Sequence, residues 1–131
     1  MPNIILATHG SLAASLKATA ELIIGNIERI ECFEMTAGLA HDEADRALTD
    51  LVTRGRSHQE HLNVLVDIQG GSPFNICSRH LIEHGDFTLL TGVNLPMLLE
   101  AATDLAADGS QLATAGAAAV VHVNARLQDT P

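Results

Sequence analysis

The fold is decided first by the stretch Ile4-Ile5-Leu6-Ala7-Thr8-His9-Gly10, in which a short apolar run ends in a histidine and a glycine. An apolar run of this length, bounded by polar residues and glycine, is typical of a strand in a parallel sheet that is covered on both faces. Residues 11–24 then carry apolar side chains at helical spacing, and Gly25 supplies a stop signal. The chain therefore begins with a β-α unit whose loop contains His9.

The same β-α pattern recurs along the chain. Further strands are predicted at residues 27–33, 62–68 and 87–91, and further helices at 41–54, 76–84 and 97–105. Gly55 is interpreted as the end of the second helix, and Ser72 as the N-cap of the third, with Pro73 at its first position. Four consecutive units predict an α/β fold, an open doubly wound (flavodoxin-like) parallel sheet of four strands with flanking helices.

Size and composition indicate one compact domain over residues 1–131, with 47% hydrophobic residues. The net charge of −9 disfavours nucleic acid and anionic membranes as partners. With three Phe and neither Trp nor Tyr, the chain offers no stacking platform for bases or sugar rings. Because no basic leader precedes the first strand and no apolar run approaches about 18 residues, we expect a cytoplasmic protein.

Two predicted loops bring chemistry to one edge of the sheet. His9 follows the first strand, and Asp67 follows the predicted strand at 62–68. A carboxylate that accepts a hydrogen bond from imidazole Nδ1–H leaves Nε2 free to attack, and free N–H groups at helix N-termini favour a phosphoryl group. We therefore predict His9 and Asp67 as catalytic residues, with Gly10, Gly71 and Ser72 as phosphoryl-binding residues.

The sequence lacks the motifs of a nucleotide-dependent kinase. There is no Gly-x-x-x-x-Gly-Lys-Ser/Thr loop and almost no lysine, so His9 is expected to receive its phosphoryl group from another protein or a small donor. Phosphoryl transfer is mostly positioning and charge stabilisation, which backbone donors supply. We expect no metal and no other cofactor in this chemistry.

Other histidines and the cysteines are expected to be structural or solvated. His80 and His84 lie four apart on a predicted helix, a spacing that can bind a metal, but no nearby cysteine or acid completes a convincing ligand set. His58 and His61, three apart, are interpreted in the same way. The two cysteines at 32 and 77 show no metal-type spacing and are predicted to be buried free thiols.

Three motifs, in order, resemble a known family. They are Leu6-Ala7-Thr8-His9-Gly10, then residues 65–75 with the block Gly70-Gly71-Ser72-Pro73-Phe74-Asn75, and finally Gly92-Val93-Asn94-Leu95-Pro96 with the four residues after it. Over about residues 1–105 the chain is similar to the IIA component of the mannose-family sugar phosphotransferase system. The C-terminal quarter matches only loosely.

The resemblance implies a phosphocarrier that accepts a phosphoryl group from the histidine phosphocarrier HPr and passes it to a histidine of the IIB component. By position, His9 is the phosphorylated residue and Asp67 its orienting carboxylate, while Ser72 and Gly71 line the phosphoryl pocket. Family members are homodimers that exchange a short C-terminal strand. The resemblance therefore predicts a homodimer in which residues 120–127 add an antiparallel edge strand.

Other classes of protein require residues that can be compared with the same loops. A receiver module needs an acidic pair after its first strand, where this chain has Ala7-Thr8-His9. A third loop, at residues 92–96, is predicted at the same edge of the sheet. A histidine phosphatase or mutase needs arginines in its pocket, and the three loops at residues 8–10, 67–72 and 92–96 contain none. The phosphotransfer subunit of dihydroxyacetone kinase and a non-enzymatic flavodoxin-like binding or regulatory module remain open.

Overall fold

The computed structural model describes residues 3–128 and contains a four-stranded sheet with helices on both faces. The elements in chain order are β1 (Ile4–His9), α1 (Leu12–Ile24), β2 (Ile30–Met35), α2 (His41–Arg56), β3 (Asn63–Val66), α3 (Ser72–His84), β4 (Thr88–Leu90), α4 (Leu95–Thr103), α5 (Gly109–Ala118) and α6 (Val123–Gln128). The strand order is β2-β1-β3-β4, and all neighbouring strands are parallel. The predicted four-stranded parallel α/β fold is confirmed.

Successive side chains of the central strands point to opposite faces of the sheet, so the core has two layers. Ile4 and Leu6 face one layer, where they pack with apolar residues of α1, α4 and α5. Ile5 and Ala7 face the other layer, formed by α2 and α3. Since every side chain from Ile4 to Thr8 is fully buried, β1 is the centre of the molecule, and its first exposed residue is His9.

Several predicted boundaries differ from the structure, and at the second helix and the second strand tertiary contacts are involved. The second helix does not end at Gly55 but continues to Arg56, since Gly55 is buried where Leu62 packs against its backbone. The second strand begins at Ile30 and not at residue 27, and it runs on to Met35 because Met35 pairs with His9 at the end of β1. The local sequence pattern alone could not indicate either of these tertiary contacts.

The start of α3 also differs from the prediction. Gly71, not Ser72, is the N-cap, and Ser72 is already helical. Among the hydrogen bonds of the described residues none involves the Ser72 hydroxyl, so Ser72 does not cap the helix. Pro73 sits in the first turn as expected, because its missing N–H would have no partner there.

The predicted edge strand at residues 120–127 is absent from the described structure. Residues 120–122 are irregular, and helix α6 spans Val123–Gln128. The backbone N–H of Arg126 donates to the carbonyl of His122 and closes a helical turn. Ala125, Arg126 and Leu127 are good helix formers, and a strand would need a sheet edge beside it.

Candidate active site

His9 and Asp67 meet at the carboxyl edge of the sheet. His9 is the last residue of β1, and Asp67 directly follows β3. Nδ1 of His9 lies 2.9 Å from Oδ2 of Asp67, and the same oxygen accepts the backbone N–H of His9 at 2.8 Å. An ionised carboxylate can only accept, so Nδ1 carries the proton and Nε2 of the neutral ring carries the free lone pair.

Asp67 is held as a carboxylate. Its side chain is 14% exposed, and burial raises its pKa, but hydrogen bonds from the His9 backbone, the His9 ring and the N–H of Ile68 outweigh burial and lower the pKa below its usual value. Oδ1 accepts the Ile68 N–H at 2.9 Å. The His9 side chain is 44% exposed, so the ring is anchored at Nδ1 and accessible elsewhere.

Gly71 forms the wall next to the reactive end of the ring. A Cβ atom at this position would lie 2.6 Å from Cε1 and 3.2 Å from Nε2 of His9. The backbone of Gly71 is extended, with φ −79°, so close approach rather than conformation requires glycine here. Gly70, by contrast, has φ +86° and makes the turn into this position.

The first turn of α3 offers hydrogen-bond donors at this wall. The N–H of Asn75 donates to the carbonyl of Gly71, and Pro73 has no N–H. The N–H groups of Ser72 and Phe74 have no backbone partner within residues 3–128. Together with the positive end of the helix dipole, these free donors are suited to an anion.

The β1–α1 loop contains Gly10, a predicted phosphoryl-binding residue. The N–H of Gly10 donates to the carbonyl of Met35 at 2.9 Å, so it is engaged in the turn, where Gly10 has φ +59°. Thr8, which the sequence analysis did not single out, is fully buried and its hydroxyl accepts the N–H of Ala13 at 2.8 Å. Thr8 thereby fixes the start of α1 directly behind His9.

The third loop is tied to the same strand end. The N–H groups of Gly92 and Val93 donate to the carbonyls of Asp67 and Val66. Asn94 caps α4, because its Oδ1 accepts the N–H of Met97 at 3.0 Å. The predicted loop at residues 92–96 therefore does border the site, and it braces Asp67.

The structure thus brings together His9, Asp67, Gly71 and Ser72, while Gly10 serves the turn. The bond from the Ile68 N–H is a local turn contact of the kind that Asp commonly makes at the end of a strand. The cysteines lie elsewhere: burial raises the pKa of Cys77 to about 12, and Cys32 is only partly buried, contrary to the prediction that both are buried. Neither thiol borders His9.

Comparisons with known proteins place the chain in a family. Residues 3–119 match the family model EIIA-man, described as PTS system fructose IIA component. The PTS system mannose-specific EIIAB component of Escherichia coli strain K12 is 34% identical over 103 residues, which are 74% of this chain and 30% of that protein. The chain therefore spans less than a third of the length of this relative.

Two further proteins are similar. The PTS system fructose-specific EIIA component of Bacillus subtilis strain 168 is 28% identical over 104 residues, covering 76% of this chain and 68% of that one. The mannose/sorbose specific IIA subunit from Enterococcus faecalis has the same fold, with a TM-score of 0.82 at 24% identity, over 99% of this chain and 96% of that one. Within residues 3–128, none of the helices is both long and apolar enough to span a lipid bilayer.

Proposed function

The chain belongs to the EIIA-man family of phosphotransferase-system IIA components, and we propose that it carries a phosphoryl group on Nε2 of His9 between two partner proteins. The donor is phosphorylated HPr and the acceptor is a histidine of a IIB component, as the family resemblance implies. The observation that carries the proposal is the 2.9 Å contact of His9 Nδ1 with Asp67, which leaves Nε2 free beside Gly71.

The transfer step follows from the tautomer. The Nε2 lone pair of His9 attacks the phosphorus of the donor phosphohistidine, whose positively charged ring carries a proton on its other nitrogen. One P–N bond forms as the other breaks, and the bonding electrons return to the donor ring, which leaves as a neutral imidazole. His9 keeps its Nδ1 proton and becomes positively charged. Asp67 stabilises that charge, as an orienting carboxylate does beside a catalytic histidine. Transfer to IIB reverses these events.

The phosphoryl oxygens are held by backbone donors. The N–H groups of Ser72 and Phe74 lie in the first turn of α3, next to Gly71. Fixed donors of this kind stabilise charge without reorganising during the reaction. We leave Gly10 out of the phosphoryl contacts because its N–H is bonded to Met35. No metal is required for this step.

Incubation of the purified chain with phosphorylated HPr tests the proposal. We expect one phosphoryl group per chain by intact-mass measurement, acid-labile and base-stable, and placed on Nε2 by ³¹P NMR. His9→Ala should remove it, whereas His58→Ala, at a partly exposed loop histidine, should leave it intact. Undiminished phosphate on His9→Ala would refute the assignment. Phosphorylated chain that fails to phosphorylate IIB would remove IIB from the relay.

We also propose a homodimer that buries the C-terminal segment. Val120, Val123 and Leu127 are exposed in the single chain by 78%, 56% and 68%. Apolar side chains at this density are usually covered by a partner. Sedimentation equilibrium at micromolar concentration should give twice the chain mass, and Val123→Asp with Leu127→Asp should give the chain mass. A wild-type monomer under these conditions would exclude the dimer.

A further inference from the structure

A second group of chemically active side chains lies at the C-terminal end of α3. One nitrogen each of His80 and His84 and a carboxylate oxygen of Glu83 lie within 4.8 Å of one another. We propose that His80, Glu83 and His84 bind a divalent transition-metal ion of the zinc class. The expectation that no acid completes a ligand set here was wrong, because Glu83 supplies a third donor.

The helix itself positions the three donors. Residues 80, 83 and 84 have the i, i+3, i+4 spacing that puts side chains on one face. The two imidazole rings already lie parallel, at an interplanar angle of 6° with centroids 6.2 Å apart. The C-terminal end of a helix carries the negative end of its dipole and favours a bound cation. Spacing, ring orientation and dipole therefore all favour a cation here.

His80 is prepared for coordination by a neighbouring helix. Its Nε2 lies 2.9 Å from the hydroxyl of Thr49, and that hydroxyl donates to Asp45 at 3.0 Å. Because the Thr49 hydroxyl donates its only proton to Asp45, its oxygen accepts the Nε2–H of His80. The lone pair on Nδ1 of His80 is then free. Metal-binding histidines usually donate their other N–H to an oxygen in this way.

The oxygen shell behind His80 is itself held in place. The guanidinium of Arg79 is paired with Asp45, at 2.7 and 2.8 Å. Asp45 therefore accepts from both Arg79 and Thr49, and this holds the Thr49 hydroxyl beside His80.

Two imidazole nitrogens and one carboxylate oxygen select the metal class. This donor set suits Zn²⁺, Ni²⁺ or Cu²⁺ and is unlike the all-oxygen sites of Ca²⁺ and Mg²⁺. Bonds of about 2.0–2.2 Å put tetrahedral donors about 3.3–3.5 Å apart. Glu83 and His84 are exposed, so rotation of their side chains can close the present spacing. Water would complete the coordination.

The inference does not rest on the proposed phosphoryl chemistry. Ser72 and His84 are the first and last residues of α3. Twelve helical steps of 1.5 Å separate these ends by about 18 Å. Metal binding and phosphoryl transfer can therefore be measured independently.

Calorimetric titration of the chelator-treated full chain with ZnCl₂ and with MgCl₂ tests the site. We expect Zn²⁺ to bind and Mg²⁺ to give no heat. Glu83→Gln and His84→Gln should each weaken Zn²⁺ binding at least tenfold. His58→Gln is the matched control, since His58 and His61 form a second closely spaced pair, and it should stay within twofold of wild type.

Residue-resolved ¹⁵N NMR of the imidazoles identifies the donors. One equivalent of Zn²⁺ should shift the ring nitrogens of His80 and His84, with coordination of His80 through Nδ1, and should leave His9 unchanged. Circular dichroism verifies that the variants are folded, which is expected for exposed positions. Zn²⁺ binding that is equally strong in His84→Gln, or shifts confined to His9, would overturn the proposal.

Discussion

Gly71→Ala tests the steric basis of the proposed site most directly. The added Cβ would lie 2.6 Å from Cε1 of His9, whereas ordinary van der Waals contacts begin near 3.4 Å. The ring must therefore move by about 1 Å, which stretches the 2.9 Å bond between Nδ1 and Asp67 beyond hydrogen-bonding distance. The fold itself can tolerate alanine, because φ at Gly71 is −79°.

The size of the effect follows from the bond that is lost. A hydrogen bond to a charged group contributes about 1.5–3 kcal/mol. At about 1.36 kcal/mol per factor of ten, its loss in the transition state slows transfer by about 10- to 150-fold. Alanine is also a poorer N-cap than glycine, so we expect a separate loss of up to about 1 kcal/mol in the free energy of unfolding.

Rapid-quench measurement of phosphoryl uptake from phosphorylated HPr gives the rate, and urea denaturation gives the free energy of unfolding. Gly38→Ala is the matched control, because a Cβ at Gly38 meets no atom within 4 Å and φ there is not positive. Its transfer rate should equal that of wild type. If Gly71→Ala also transferred within twofold of wild type, the ring would not be held against this wall and the reasoning would be refuted.

Three further substitutions test the supports of the site. Asp67→Asn should keep the fold but slow phosphoryl transfer. Because the pKa of Asp67 is lowered in the folded protein, any stability that its charge adds is present above about pH 4 and is lost at lower pH. The urea midpoints of wild type and variant should therefore converge in acid. Thr8→Val should lower the free energy of unfolding by about 1–2 kcal/mol through loss of the α1 cap, measured by urea denaturation. Gly55→Ala should lower it by about 1–3 kcal/mol, because the Cβ would lie 2.8 Å from a methyl group of Leu62; an unchanged urea midpoint would contradict that packing.

The meeting of His9 and Asp67 could be predicted because it depends on strand order and polarity alone. Buried apolar runs identified the strands, and adjacent parallel strands end at one edge of the sheet. Individual hydrogen bonds could not be predicted in the same way. Whether the N–H of Gly10 faces a ligand or Met35 depends on how far β2 extends, and that extension is a tertiary contact.

The helix signals failed where packing overrode them. Gly55 is a stop signal by propensity, but its missing side chain accommodates Leu62 and the helix continues past it. Residues 120–123 combine β-branched side chains with a helix-forming continuation, so the outcome depends on whether a sheet edge is available. In the described single chain the helix α6 forms.

Asp67 connects the end of a strand to the proposed chemistry through one oxygen atom. The β1–β3 ladder pairs Ala7 with Val66, and β3 ends there. Beyond that point the backbone carbonyl of Asp67 accepts the N–H of Gly92. The N–H of His9 is instead accepted by the side-chain oxygen Oδ2 of Asp67. The carboxylate thus extends the hydrogen bonding of the sheet and also orients the His9 ring. Its removal is expected to weaken both.

The loops at residues 8–10, 67–72 and 92–96 contain no Lys or Arg, which suits the proposed role as a phosphoryl carrier. A guanidinium clamp would bind the phosphorylated ground state as well as the transition state, and such uniform binding does not speed the chemical step. It would also hold the phosphoryl group against transfer to the second partner. We infer that the N–H groups of Ser72 and Phe74 hold the group firmly enough to position it and weakly enough to release it. Placing an arginine at Ile68, beside the pocket, should therefore slow transfer onward to IIB more than uptake from HPr, and equal slowing of both half-reactions would contradict this view.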